Sequence, residues 1–335
     1  MKAVVLVGGE GTRLRPLTET IPKPLLPFMN RPFLDHVLDH LAGHGVEEAI
    51  LSSSYLGPRF ADYLERRSGG PRVTWITEPE PLGTCGAIVG ARRHLEGTFL
   101  VLNGDVLTDL DLTAMVRFHR ERGAVATIAL THVEDARPFG LVEWEADGRV
   151  LAFREKPTDL IPGDINAGTY VLEPRALDGV PENVMMSIER ETFPGLIARG
   201  EPVYSLLSSD YWRDLGTPEV YLQAHLDALA GLIGGPYSAP LLGRGAEVHP
   251  TADLGSDVVL GEGVRVGPGA RVATSVVQEG CAIGDRASVT GSILGPSTEV
   301  EAGATVTGSV LAEGARVPAD RSVAHAAVSA GQVAG

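Results

Sequence analysis

Ala3-Val4-Val5-Leu6-Val7 runs directly into Gly8-Gly9-Glu10-Gly11-Thr12-Arg13-Leu14-Arg15-Pro16-Leu17-Thr18, and Pro22-Lys23-Pro24 follows. The apolar run reads as a buried strand. Gly8, Gly9 and Gly11 let the chain turn tightly and present its N–H groups to an anion. Arg13, Arg15 and Lys23 then supply positive charge. A polyphosphate is the simplest target. Neither common nucleotide loop fits. A dinucleotide fingerprint read from Gly9 finds Leu14 where its third glycine belongs. No Gly-Lys-Ser/Thr triplet completes a Walker loop. Hydride transfer and P-loop ATPase chemistry both lose ground.

Outward from this loop, residues 1–230 alternate short apolar runs with helical patterns. Ala49-Ile50-Leu51, Val73-Thr74-Trp75-Ile76 and Phe99-Leu100-Val101-Leu102 read as strands. Leu34 to Leu41, Cys85 to Leu95 and Leu112 to Arg120 read as helices. That alternation predicts βαβ units and a largely parallel sheet. Ligands bind such sheets beyond the carboxyl ends of strands. Gly8 and Asn103-Gly104-Asp105 each follow a strand and should face one crevice.

Residues 231–246 are rich in Gly, Pro and Leu and read as a linker. From 247 to 335 the texture changes. Apolar residues recur about every six positions, from Val248, Leu254 and Leu260 onward. A longer unit then repeats as Val272-Ala273-Thr274-Ser275-Val276-Val277, Val289-Thr290-Gly291-Ser292-Ile293-Leu294 and Val306-Thr307-Gly308-Ser309-Val310-Leu311. One such unit makes one triangular coil of a solenoid. The pattern stops near Val323 without a capping helix, so a homo-oligomer through the solenoid is expected to cover the last coil. His325 to Gly335 should fray.

Composition narrows the function. The 335 residues suggest two domains, and 44% hydrophobic residues supply a core. A net charge of −15 argues against nucleic acid as a partner. No apolar run is long enough to span a membrane, and the chain enters a strand without a secretory signal, so a cytoplasmic protein is expected. Cys85 and Cys281 are too few for a disulfide framework. Lysine occurs only as Lys2, Lys23 and Lys156, so 25 of the 28 basic residues are arginine. Lys23 and Lys156 sit beside prolines, where a compact ammonium could touch a phosphate that a planar guanidinium would not reach.

Further motifs line up with the loop: Leu102-Asn103-Gly104-Asp105, Glu155-Lys156-Pro157, Asn166-Ala167-Gly168-Thr169-Tyr170 and Trp212-Arg213-Asp214-Leu215-Gly216. Together with the glycine loop they resemble the sugar-1-phosphate nucleotidylyltransferases over nearly the whole chain. Glu80-Pro81-Leu82-Gly83-Thr84-Cys85-Gly86, Pro138-Phe139-Gly140 and Ser187-Ile188-Glu189-Arg190-Glu191 look most like the branch that uses GTP and mannose 1-phosphate. The resemblance implies a Rossmann-like, mostly parallel mixed sheet over 1–230 and a left-handed parallel β-helix of hexapeptide repeats over 247–335.

It also implies roles. Leu6, Gly8, Gly9, Gly11, Thr12, Arg13, Asn103 and Gly104 would bind the nucleotide and its triphosphate. Glu78, Pro81, Gly83, Thr84 and Gly86 would lie on the base side. Cys85 stands where the family usually has Ala or Gly. Gly140, Glu155, Asn166 and Gly168 would contact the sugar, and Lys156 its phosphate. Lys23 would hold phosphates during transfer. Asp105 and Asp214 would hold Mg²⁺, which takes few carboxylates and completes its shell with phosphate oxygens and water. Arg13, Lys23, Asp105, Lys156 and Asp214 would be the catalytic set. The substrates would be GTP, or another NTP, and a sugar or cyclitol 1-phosphate.

Rival readings use other residues. Asp109-Leu110-Asp111 resembles the Asp-x-Asp of glycosyltransferases, but it also suits a loop with Asp111 near an N-cap. His36, His40 and His44 fall at helical spacing and could bind metal or simply form a solvated face. A repeat-borne acyltransferase site would have only His249 and His325 in the solenoid. A non-catalytic subunit of the same family would be expected to lack the catalytic set.

Overall fold

Ala3, Val4 and Val5 are wholly buried because their strand, β1 (Lys2–Leu6), is central. Such a strand, covered on both faces, needs an unbroken apolar run. In the computed structural model residues 1–53, 58–78, 80–235 and 237–334 are described. Pro236, inside the expected linker, and Gly335, at the end of the expected repeat region, lie outside the described residues. Two units form, one from Met1–Gly9 with His36–Trp212 and the other from Glu10–Asp35 with Arg213–Gly335.

The first unit is built on a nine-stranded mixed sheet. Its strands are β1, β2 (Glu48–Ser53), β3 (Arg72–Thr77), β4 (Phe99–Asn103), β5 (Ala126–Val133), β6 (Gly140–Trp144), β7 (Val150–Glu155), β8 (Gly163–Leu172) and β9 (Val203–Leu207). β1 pairs in parallel with β2 and β4, and β3 extends the sheet in parallel beyond β2. This is the expected βαβ half. β8 lies antiparallel to β4, β5 and β6, which makes the other half mixed. The β8–β5 register shifts between Asn166 and Tyr170, and Gly168 there has φ +74°. An irregularity of this kind re-aims side chains at a sheet rim. The helix expected from Cys85 to Leu95 ends at Gly90, and a single tighter turn, Arg92–His94, follows.

The second unit contains the solenoid. Three parallel sheets of six, five and five short strands form its faces, consistent with a left-handed β-helix. On one face Val259 pairs with Val276, Val276 with Ile293, Ile293 with Val310 and Val310 with Ala327, a 17-residue repeat. Inside, Val272, Val289 and Val306 stack with no exposure, each burial contributing about 1.5 kcal/mol or more. One corner carries a serine ladder. Ser275, Ser292 and Ser309 each accept, at 3.1 Å, from an N–H of the following coil. Each also donates to a carbonyl of its own coil.

The solenoid departs from expectation at both ends. Leu241–Leu242, within the stretch read as linker, already pairs with Val259–Leu260. The expected fraying of His325 to Gly335 does not occur over the described part. Ala327–Val328 pairs with Val310–Leu311, and Arg316 and Ala334 exchange backbone bonds with the tail and the coil beneath it. Val328 and Ala334 are both buried. The hydrophobic spacing lapses there because small residues, not larger apolar ones, cover the last coil.

Candidate active site

In the first unit the loop ends meet as the crevice reading requires. Leu6 is paired with Asn103, and the N–H of Gly104 donates to Leu6 O at 2.9 Å. A Cβ on Gly104 would lie 2.7 Å from that same oxygen, so only glycine fits where the two strand ends converge. Gly8 and Gly9 are exposed just past β1. Asp105, half-buried, follows directly.

The sheet then gathers the residues expected to bind sugar. Asn103 fills the space beside Gly168, where a Cβ would approach its Nδ2 to 2.6 Å. Gly168 N–H donates to Asn166 Oδ1 at 3.0 Å, and Asn166 Nδ2 donates to Tyr170 Oη at 2.7 Å. Gly140 pairs across the strands with Glu155, and a Cβ there would strike the Phe153 ring and approach Glu155 Oε2. Burial raises the Glu155 pKa, and the carboxylate of Glu189 raises it further. Lys156 follows with φ +51°, a conformation that costs a non-glycine residue about 1 kcal/mol. Its N–H is fixed to Phe139 O at 2.9 Å, and the residue is exposed.

Glu189 joins this group to the 80–86 segment, a role its spacing in the sequence could not reveal. Its carboxylate accepts from Thr84 Oγ1 at 2.7 Å, Ser187 Oγ at 2.6 Å and Tyr170 Oη at 3.3 Å. These partners are up to 105 positions away. The segment itself is held by packing. A Cβ on Gly83 would sit 2.7 Å from Met186 O, and one on Gly86 would sit 2.6 Å from Val184 O. Both glycines thus admit the 184–186 backbone. Glu78 is buried and accepts from Ser52 Oγ and from Leu82 N–H. Cys85 points into the core, where Thr192 Oγ1 donates to its sulfur and burial raises the thiol pKa. Pro81 is exposed beside them.

The second unit carries the rest of the basic loop. Gly11 has φ +63°, and its carbonyl accepts from Thr18 Oγ1 at 2.7 Å and from Leu14 N–H at 2.9 Å. Thr12 and Arg13 begin a one-turn helix, and Lys23 begins another. Arg13 lies 3.7 Å from Asp214 Oδ2, and Lys23 lies 4.0 Å from Oδ1. Arg13 is mostly exposed, whereas the Lys23 side chain is only 9% exposed. Asp214 therefore orders two cations that sequence reading assigned to phosphates.

No group of three or more His, Cys, Asp or Glu forms a cation cage among the described residues. Mg²⁺ needs only one or two protein carboxylates, because phosphate oxygens and waters fill its shell. Asp105 follows β4 in the first unit, and Asp214 stands beside Arg13 and Lys23 in the second. The two decoys resolve differently from a metal site. Asp111 caps helix Leu112–Glu121, accepting from Ala114 N–H at 2.9 Å. His40 and His44 stack edge to face at 4.9 Å, and His44 bonds Thr113.

The chain is similar to known proteins over most of its length. The family model described as "Nucleotidyl transferase" matches residues 2–231, and "GMPPB C-terminal domain" matches residues 238–332. The mannose-1-phosphate guanylyltransferase of Mycobacterium tuberculosis is 41% identical over 283 residues, covering 82% of this chain and 79% of that protein. A probable mannose-1-phosphate guanylyltransferase 2 of Arabidopsis thaliana is 40% identical, covering 79% and 76%. Among solved structures, HddC from Yersinia pseudotuberculosis, determined also in complex with GMP-PN, superposes with a TM-score of 0.59 at 31% identity. That match covers 67% of this chain and 97% of HddC.

Proposed function

We propose that this chain, which belongs to the nucleotidyl transferase family, transfers GMP from GTP to mannose 1-phosphate and releases pyrophosphate. The observation that carries the reading is the extent of the likeness to the mycobacterial guanylyltransferase, 41% over 82% of the chain. The HddC complex with GMP-PN adds support for a guanine nucleotide. The nucleotidyltransferase part is assigned to 1–230 and the β-helix to 247–335, with 231–246 between them and Leu241–Leu242 of that stretch already paired with the solenoid.

The chemistry follows from charge. A sugar 1-phosphate is largely dianionic at neutral pH, by analogy with a phosphoserine whose second pKa is about 6. Its oxygen is already nucleophilic, so attack on the α-phosphorus needs no general base and no covalent enzyme intermediate. Two polyanions must instead be brought together, and the protein's work is positioning and neutralisation. Gly8, Gly9, Gly11 and Thr12 present backbone N–H groups to the triphosphate, with Leu6, Asn103 and Gly104 beside it. Arg13 and Lys23 neutralise the departing pyrophosphate. Lys156, thrust outward by its left-handed backbone, holds the sugar phosphate. Gly140, Glu155, Asn166 and Gly168 receive the sugar hydroxyls. Glu78, Pro81, Gly83, Thr84 and Gly86 shape the base side. Asp105 and Asp214 would hold Mg²⁺, which when bound supplies charge neutralisation at the phosphates.

We place the enzyme in the cytoplasm as a homo-oligomer joined through the β-helix. No helix among the described residues is long and apolar enough to cross a membrane. Self-association is supported by one solenoid face. Its outward residues read Glu247, Arg265, Ala282, Glu299 and Arg316 from coil to coil. Two copies placed antiparallel about Ala282 would set Glu247 against Arg316 and Arg265 against Glu299 throughout. Pyrophosphate release from a matrix of NTPs and sugar 1-phosphates tests the substrate assignment. GTP with mannose 1-phosphate should have the highest kcat/KM. A tenfold preference for UTP or dTTP, about 1.4 kcal/mol, would refute the guanylyl reading.

A further inference from the structure

The loop that carries Arg13 and Lys23 has little structure of its own. Thr12–Leu14, Leu17–Glu19 and Lys23–Leu25 are single turns of three residues, too short to hold themselves in water. Something outside the loop must fix it. Near residue 30 the solenoid and its preceding helix do so. Asn30 Nδ2 donates to Leu260 O at 2.7 Å, and Tyr221 Oη donates to Pro27 O while accepting from buried Gln278. Those anchors lie after Lys23.

Between Arg13 and Lys23 the loop buries Leu14, Leu17 and Ile21 and faces Asp214 with its two cations, and Glu19 adds a polar tie to the solenoid. Its Oε1 accepts from Ser329 Oγ, and its Oε2 accepts from Ala330 N–H, both at 3.0 Å. Ser329 and Ala330 belong to the final coil, more than three hundred positions along the chain. Thr18, next to Glu19, donates to Gly11 O, so the tie continues into the glycine turn that precedes Arg13. A Cβ on Gly11 would touch Thr18 Cγ2 and Lys23 Cβ at 3.0 and 3.1 Å, which makes these residues one packed turn.

We infer that Glu19 is a positioning residue and that the terminal coil of the β-helix, through Ser329 and Ala330, fixes the loop that presents Arg13 and Lys23 to the nucleotide. The β-helix is then a support for catalysis rather than an assembly module alone. This rests on the guanylyltransfer reading above for its kinetic readout but not for its structural one.

The test uses full-length Glu19→Ala, Glu19→Gln and Ser329→Ala, together with the double variant Glu19→Ala/Ser329→Ala. Glu19→Ala should lower kcat/KM for GTP about tenfold while KM for mannose 1-phosphate changes less than twofold. Glu19→Gln keeps one acceptor oxygen and should recover part of the loss. The double variant should be no worse than Glu19→Ala, since both remove the same tie. Amide exchange over residues 10–26 should quicken in Glu19→Ala with the melting temperature little changed. Wild-type kcat/KM for GTP together with unchanged exchange would overturn the inference. So would additive losses in the double variant. If no nucleotide and sugar phosphate pair released pyrophosphate in the wild type, the functional reading would fail, and exchange over 10–26 would still decide the tie.

Discussion

The Arg13 guanidinium lies against Gly216, so closely that a Cβ there would sit 3.0 Å from Nη2 and 3.1 Å from Cζ. The glycine forms the seat from which Arg13 reaches Asp214 at 3.7 Å. The backbone at Gly216 lies outside the left-handed region, so alanine is conformationally permitted, and only a flexible side chain must yield. Gly216→Ala should therefore cost about 1 kcal/mol or less in stability. It should displace Arg13 and lower kcat/KM for GTP about tenfold. Denaturant titration and steady-state kinetics on the one variant separate these effects.

Asp105→Asn and Asp214→Asn should each reduce kcat by about 10² or more, as befits loss of a charge that stabilises the transition state. Asp111→Asn is the contrast. Its carboxylate caps a helix, and Asn is an equally good cap, so both kcat and stability should stay near wild type. An equal loss of kcat at Asp111 would favour the glycosyltransferase reading.

Lys156→Arg should be nearly as damaging as Lys156→Ala. The backbone at Lys156 is already committed to φ +51°, and its N–H is tied to Phe139 O. A rigid fork on this fixed stem cannot replace a point charge. The chain uses arginine at 25 of its 28 basic positions, so lysine here meets a specific demand. KM for mannose 1-phosphate in the Arg variant is the deciding number; a wild-type value would sink the argument.

Much of this was legible in the sequence because it is local or periodic. The β1 run, the glycine turn and the repeat each announce themselves within a few residues. Glu189 and Glu19 did not, because their partners stand far away in the chain and only folding brings them together. The close approach of the 184–186 backbone to Gly83 and Gly86 is equally illegible, because it joins segments about a hundred positions apart. The cover of the last coil is illegible for a related reason. It is a tail of small residues held by backbone bonds, which hydropathy does not register.

His40 gives a pH signature of stability. Burial, with His44 adding repulsion, lowers its pKa from 6.5 to about 4. Its buried Nε2 has no hydrogen-bond partner. As pH falls below 6.5 the unfolded chain takes up a proton that the folded chain refuses, so stability is lost down to about pH 4. The slope is up to about 1.4 kcal/mol per pH unit. His40→Leu should show a flatter decline between those limits and little change in slope above pH 7. Chemical denaturation at stepped pH measures both slopes, and identical slopes would remove His40 from the account.

The charge order on the solenoid face makes self-association testable without a structure of the assembly. Within one chain Arg316 is paired with Glu301 and lies 3.7 Å from Glu299, so the test rests on Arg265 and Glu299 instead. Arg265 and Glu299 are two coils apart, roughly 9–10 Å at the spacing of neighbouring strands, so they do not pair within the same chain. In the antiparallel arrangement each meets the other on a second copy. Arg265→Glu should therefore weaken association, and Glu299→Arg should do the same. The double charge swap should restore it, because only an intermolecular pair is rebuilt. Association should also weaken with salt, as expected for screened surface charges. Light scattering across a concentration series distinguishes these cases. A double swap as weak as either single variant would show that this face does not join the copies.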